Sequence, residues 1–311
     1  MVMAEGPKIY KEINELYSEI LDYRKKGKLE ELLKFCARLQ TIGAYNAMLV
    51  HAQLPGAALV LTRQRWEKDL HRRIKPSARP LIVLMPFSPV EFVFDVCDTE
   101  LIPGAPDRAE AKLEELMHPF PVLGKVSLGM LHCLEDNLRY FGIFFSDDYK
   151  AGPMECAKIQ RYDKKVNYDV LRWDTFFSIP FPLEYQLCVD HTKPAEEQFV
   201  SICHELGHYF CGHLKPNSKR DKVQEEFEAE IVAWMVASRI GLQDSGAVPF
   251  LSQYAEDDND ELPKVNIGTV LSAADQIEKM FSTIDIKNSW LYKHKESFKE
   301  SIDKILVRPT R

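Results

Sequence analysis

The stretch TKPAEEQFVSICHELGHYFCGH, residues 192–213, decides how this chain is read. It has the marks of a helix before any chemistry is considered. Thr192 can cap it. Pro194 suits a first turn, because the N–H it lacks is one that a helix start leaves unbonded, and Glu196 and Glu197 stand where the helix dipole favours negative charge. Phe199, Ile202, Cys203, Leu206 and Phe210 then recur as a single apolar stripe. Inside this helix lies His204-Glu205-Leu206-Gly207-His208, an H-E-x-x-H sequence. Imidazoles four residues apart project from one face, one turn apart, so both can reach one tetrahedral zinc ion. Glu205 follows the first imidazole directly, which points its carboxylate beside the ion, where it can take a proton from water instead of ligating.

Two imidazoles leave a catalytic zinc one protein ligand short. A second helix, predicted over 222–240, carries Glu225, Glu226, Glu228 and Glu230. Phe227, Ile231, Trp234 and Ser238 form its core face, whereas Glu226, Ala229, Glu230, Ala233 and Ala237 form a second face whose small side chains allow close packing. Glu226 and Glu230 are therefore the carboxylates expected at the metal, one as ligand and the other as partner of a ligand imidazole. The pattern alone does not order them. Gly212 and His213 come four and five residues after His208, out of step with the longer motif that supplies a third histidine, so His213 is expected only as a polar residue near the helix C-terminus. Cys203 and Cys211 are expected as buried thiols. His191 and Tyr209 have the chemistry to stabilise an oxyanion, but nothing in the sequence selects them. The alternating segment 183–190 reads as a strand, either a plain sheet strand or an edge that binds an extended substrate by backbone pairing.

The bulk composition sets limits around this site. The chain has 311 residues, 45% hydrophobic and 28% charged, enough for one large or two ordinary domains. A net charge of -7 argues against an all-over basic surface for nucleic acid or anionic lipid. No cationic leader and no long uncharged apolar run is present, so a protein without a membrane span is expected. Seven cysteines without a C-x-x-C pair indicate neither a disulfide framework nor a thiolate zinc knuckle, and fit a reducing cytoplasm.

Along the chain, helices are predicted on Ile9, Ile13, Leu16 and Ile20, then on Leu29 to Leu39, and over 44–53 up to the Leu54-Pro55-Gly56 break. Short strands follow at 57–61, 81–85 and 92–96. The proline- and glycine-bearing segment 101–107 is the expected linker between an α+β domain over 1–105 and a second domain over 106–311. In the latter a helix near 107–117 and strands near 139–145, 157–162 and 184–190 precede helices at 194–214, 222–240, 265–283 and 290–306. That order is α+β. The acidic run 256–261 reads as a solvated loop.

His204-Glu205-Leu206-Gly207-His208 followed by Glu226-Phe227-Glu228-Ala229-Glu230 resembles the ImmA/IrrE family of zinc metallopeptidases. The resemblance implies a zincin-like domain holding one Zn2+ per chain. It also implies Glu226 as third ligand, at the first position of an E-x-x-A-D/N motif, with Glu230 where Asp or Asn is usual. It further implies a narrow protein substrate, commonly a helix-turn-helix transcriptional repressor. Tyr45-Asn46-Ala47-Met48-Leu49, Gln53-Leu54-Pro55-Gly56-Ala57, Trp66 and Asp98-Thr99 resemble the N-terminal domain of ArdC-type antirestriction proteins. This second resemblance implies single-stranded DNA as a partner; Arg63, Arg65, Lys68, Arg72, Arg73, Lys75 and Arg79 cluster around Trp66, and this basic run, interrupted by Glu67 and Asp69, reads either as cations beside a base-stacking ring or as a solvated basic face. The alternative function is thus a DNA-binding, antirestriction or toxin-like regulatory protein whose metal domain is not mainly catalytic.

Overall fold

The computed structural model describes residues 25–85, 90–106, 108–117, 126–147, 149–150, 156–172, 175–216, 220–243, 248–281 and 286–306. The helix expected on Ile9 to Ile20 lies outside them. The described residues begin with helices α1 (Lys26–Arg38) and α2 (Ala44–Gln53), strand β1 (Val60–Thr62) and helix α3 (Arg63–Leu70). Strands β2 (Arg72–Ile74), β3 (Leu81–Val83), β4 (Glu91–Asp95) and β5 (Thr99–Leu101) and helices α4 (Arg108–Met117) and α5 (Leu128–Leu138) come next. After β6 (Ile143–Ser146), β7 (Ala157–Arg172) and β8 (Thr175–Val189), the chain ends in α6 (Ala195–Cys211), α7 (Lys222–Arg239), α8 (Ile267–Lys279), α9 (Trp290–His294) and α10 (Glu296–Leu306). The fold is α+β, as the strand and helix pattern implies. Two compact units divide it, one of 1–124 with 219–275, the other of 125–218 with 276–311.

In the first unit α1 packs on α7. Arg239, in the last turn of α7, donates to the carbonyls of Cys36, Leu39 and Ile42, so one buried guanidinium satisfies the C-terminal end of α1. The Asp275 carboxylate accepts from the backbone N–H groups of Ala44 and Tyr45 and caps α2. A Cβ at Gly43 would lie 2.7 Å from that carboxylate, which is why the residue before α2 carries no side chain.

Strand order β1-β4-β3 makes one small sheet, and β2 pairs with β5 in another. The outer edge of β3 is closed by side-chain amides from α2: Asn46 donates to Leu84 O and accepts from Leu84 N, and Gln53 does the same with Ile82. These two residues stand in for a missing strand.

The region around Trp66 corrects the expectation of a base-stacking platform. Thr62 caps α3, which carries the basic residues from Arg63 to Lys68, and Trp66 points from it into a core of Leu59, Leu61, Leu70, Phe94 and Leu113. Trp66 is 0% exposed, and its indole N–H donates to Phe94 O at 2.8 Å. A base cannot stack on a ring with no free face. Arg72 binds Glu110 at 3.0 Å and the Thr99 hydroxyl at 2.8 Å, and Arg73 pairs with Glu100 at 2.7 Å. Arg63 and Arg65 face Glu67 and Asp69 one turn on. The cationic run is thus interleaved with acids from its own helix and from neighbouring elements.

The second unit is built on a sheet of order β6-β8-β7, with β6 parallel and β7 antiparallel to β8. Segment 183–190 is therefore no edge: Tyr185 to Cys188 pair with β6 on one side and with β7 on the other. Beyond Leu183 the β7–β8 ribbon runs on without β6, and only there do Pro180 and Pro182 occur, where an absent N–H costs no ladder bond. A bulge at Arg161/Lys164, with Asp163 at φ 46, marks the start of this extension. Ile179, Phe181 and Leu183 bury one face of the ribbon against Leu291, Phe298 and Ile302 of α9 and α10. Helix α6 lies against β7 and β8.

Candidate metal centre

The helix that carries H-E-x-x-H begins differently from the expected cap. Pro194 takes the N-cap position, and Asp190 accepts from both the backbone N–H and the hydroxyl of Thr192, folding the entry into a side-chain turn. Gln198 reaches back to the Lys193 carbonyl at 2.7 Å. Phe199, Ile202, Cys203 and Leu206 are fully buried as one stripe, which leaves the opposite face of α6 to hold the polar residues. Burial pushes the Cys203 thiol up, so it stays a neutral, inert packing group.

On that polar face His204 and His208 meet through their Nε2 atoms, 3.2 Å apart, with the ring planes at 73°. Two nitrogens bound to one tetrahedral zinc at the usual bond length lie about 3.3 Å apart. The imidazole pair therefore fits a zinc edge, and both rings are candidate metal ligands. Glu205, between them in sequence, accepts from the backbone N–H of Ile159 on β7 at 2.9 Å. That bond ties the carboxylate to the sheet at a fixed place beside the pair.

His213, expected only as a polar residue near the helix C-terminus, is turned back against the imidazole pair. Its Nδ1 lies 3.0 Å from Nδ1 of His208, and the side chain is buried. The chain turns at Gly212, φ 80, with Gly212 N–H bonded to Tyr209 O and His213 N–H bonded to His208 O. This is the paired closure of a Schellman motif, which brings the residue after the glycine back over the last helical turn. Gly212, four residues after His208, was the available signal.

Of the two groups considered for an oxyanion, Tyr209 donates its hydroxyl to Phe141 O at 2.7 Å, and burial raises its pKa well above the usual phenol. His191 lies before the start of α6, its ring edge-on to Phe145 at 5.8 Å.

In the other unit, Asp221 caps α7 by accepting from Gln224 N–H at 2.7 Å, and the four glutamates that follow have separate fates. Glu228 is 0% exposed and holds Arg220 at 3.5 Å, the Gln224 amide at 3.1 Å and the Asn266 N–H at 3.1 Å. These bonds tie the start of α8 to α7. Glu226 is exposed, and Glu230, one turn on, hydrogen-bonds the Tyr254 hydroxyl. Burial and the two carboxylates Glu230 and Glu226 hold the Tyr254 phenol well above its ordinary pKa, and its ring packs on Phe227 at 4.6 Å. The structure thus groups His204, Glu205 and His208 on α6, and Glu226 with Glu230 on α7. Trp66, Arg72 and Arg73 belong to the core and ion pairs around α3.

Residues 162–266, about a third of the chain, match the family model described as an IrrE N-terminal-like domain, a peptidase family. The match runs from the β7–β8 ribbon through both motif helices and agrees with the resemblance those motifs carry. No curated protein matches the chain. Among solved structures, a crystal structure of the antirestriction protein ArdC from the R388 plasmid, in metal-free form, aligns at 13% identity and a TM-score of 0.30, covering 85% of this chain and 86% of that one.

Proposed function

With a peptidase-type domain over residues 162–266 as premise, we propose that this chain is a zinc-dependent metalloendopeptidase that cuts a specific regulatory protein. The observation that carries the reading is the 3.2 Å approach of the His204 and His208 Nε2 atoms on one helix, with Glu205 fixed beside them. His204, His208 and Glu226 would hold the ion, and Glu230, hydrogen-bonded to the Tyr254 hydroxyl, would serve as the carboxylate partner of a ligand imidazole. A bound zinc supplies Lewis-acid charge that polarises the scissile carbonyl and acidifies water. Glu205 takes the proton of the attacking water and passes it to the leaving amine. Since β8 is paired on both sides at the α6 end, an extended substrate would pair with an outer strand of this sheet, and β7, whose Ile159 N–H holds Glu205, is the outer strand tied to the motif helix. The substrate we propose is a helix-turn-helix transcriptional regulator. All seven cysteines are free thiols, which supports a reducing cytoplasm, and no helix among the described residues is long and apolar enough to cross a membrane.

Metal analysis of the purified chain should give about one zinc per chain. Glu205→Gln should keep that zinc and lose cleavage by roughly 10²–10⁴-fold, read by comparing the protein termini generated in a cell extract by the two forms. A chain that holds no zinc, or that cleaves equally well as His204→Ala, would remove the reading.

A further inference from the structure

An imidazole that binds a metal through one nitrogen carries its proton on the other, and what that second nitrogen meets sets the tautomer and the ring angle. His204 and His208 approach each other through Nε2, so with these imidazoles as metal ligands Nε2 is the metal-side atom of His208 and its Nδ1 would bear the hydrogen. The atom facing that Nδ1, at 3.0 Å, is Nδ1 of His213. Two ring nitrogens can share one proton only if one gives and the other accepts. His213 therefore accepts at Nδ1 and carries its own proton on Nε2.

The backbone enforces the arrangement. Gly212 at φ 80 reverses the chain, and His213 N–H is bonded to the carbonyl of the same residue, His208, at 3.0 Å. The pair is tied through main chain and side chain together, and His213 is only 7% exposed, so little water competes for the ring. In a Schellman closure this position ordinarily makes an apolar contact with the last turn. Here an acceptor replaces that contact behind His208.

We propose that His213 is a positioning residue: it is not a ligand, but it fixes the tautomer and orientation in which His208 presents Nε2 to the metal. This rests on the reading of His204 and His208 as metal ligands. The distance excludes a direct role for Nδ1 of His213 at the ion, since that atom lies against the side of the His208 ring turned away from His204.

The test uses the full chain, with zinc competed against a chromophoric chelator, and with ring-nitrogen NMR on the metal-free protein. His213→Phe keeps a ring but removes the acceptor, and His213→Asn restores an acceptor near the position of Nδ1. Zinc affinity should fall by roughly 10–100-fold in His213→Phe and return most of the way in His213→Asn. In the metal-free wild type, NMR should show His208 protonated on Nδ1 and His213 on Nε2, and His213→Phe should lose the single tautomer of His208. Packing alone would leave that tautomer unchanged. If zinc binding is lost in His204→Ala but intact in His213→Phe, the role of His213 is overturned and the metal centre stands. If wild type and His204→Ala bind zinc equally, the metal centre itself fails. Should His213→Phe not fold, the wild-type spectrum decides: His213 protonated on Nδ1 overturns the proposal.

Discussion

Two glutamates two positions apart illustrate how a residue's role is set by what it touches. Glu228 is buried, with a guanidinium, an amide and a backbone N–H around it; Glu226 stays exposed on the same helix. Burying a carboxylate without such partners would be prohibitive, so these bonds are what let Glu228 sit in the core. The same reasoning applies to Trp66. Its ring is enclosed and its N–H is bonded, so its contribution is to stability. Trp66→Ala should cost about 3–5 kcal/mol in urea denaturation, the usual range for emptying a large aromatic site, and the change should appear before any effect on nucleic acid is sought.

At the scale of elements, the amides of Asn46 and Gln53 close the β3 edge, each giving and accepting one backbone bond. Asn46→Ala or Gln53→Ala leaves a strand N–H and C=O without those partners. Gln53→Ala, at the half-buried Ile82, should cost about 1–3 kcal/mol, and Asn46→Ala, at the water-exposed Leu84, only about 0.5–1.5 kcal/mol, read as faster amide exchange at Ile82 or Leu84 respectively. The α1–α2 contact carries a pH dependence. His51 of α2 lies edge-on to Phe35 of α1 at 4.9 Å, and burial lowers its pKa below 6.5. With a depressed folded-state pKa, the unfolded chain binds the proton more readily. Stability from this site is therefore complete above about pH 6.5 and is lost as pH falls from there through the folded-state value. Urea midpoints measured downward from pH 7 should decline over that interval, and His51→Gln should flatten the decline.

For the whole molecule, a metal that binds the native chain and not the unfolded one stabilises by mass action. Zinc at 100 times its dissociation constant should add about 2.7 kcal/mol, seen as a rise in Tm that a chelator reverses and that His204→Ala lacks. The two units share no continuous chain segment: each is made of two stretches, so the segment from 125 to 218 is inserted between parts of the first. Such a weave explains why no local composition change announces it, since a linker signal marks where a chain leaves a unit once, not where it leaves and returns.

Local chemistry determined much of this protein from sequence alone. The apolar stripe of α6, the i, i+4 imidazoles with Glu205 between them, and the α+β order all follow from periodicity and spacing, which depend on neighbours within a few residues. Even the place of His213 was implicit in Gly212 closing the helix behind His208. Only the tertiary structure could decide that Trp66 faces inward, that β8 is central and Pro180 and Pro182 lie where its second neighbour has ended, and that Glu228 is committed to Arg220 and Asn266. Those outcomes depend on partners brought in from far along the chain, such as Phe94 for Trp66 and Asn266 for Glu228. A helix or strand pattern tells which face a residue occupies; it does not tell what that face will meet.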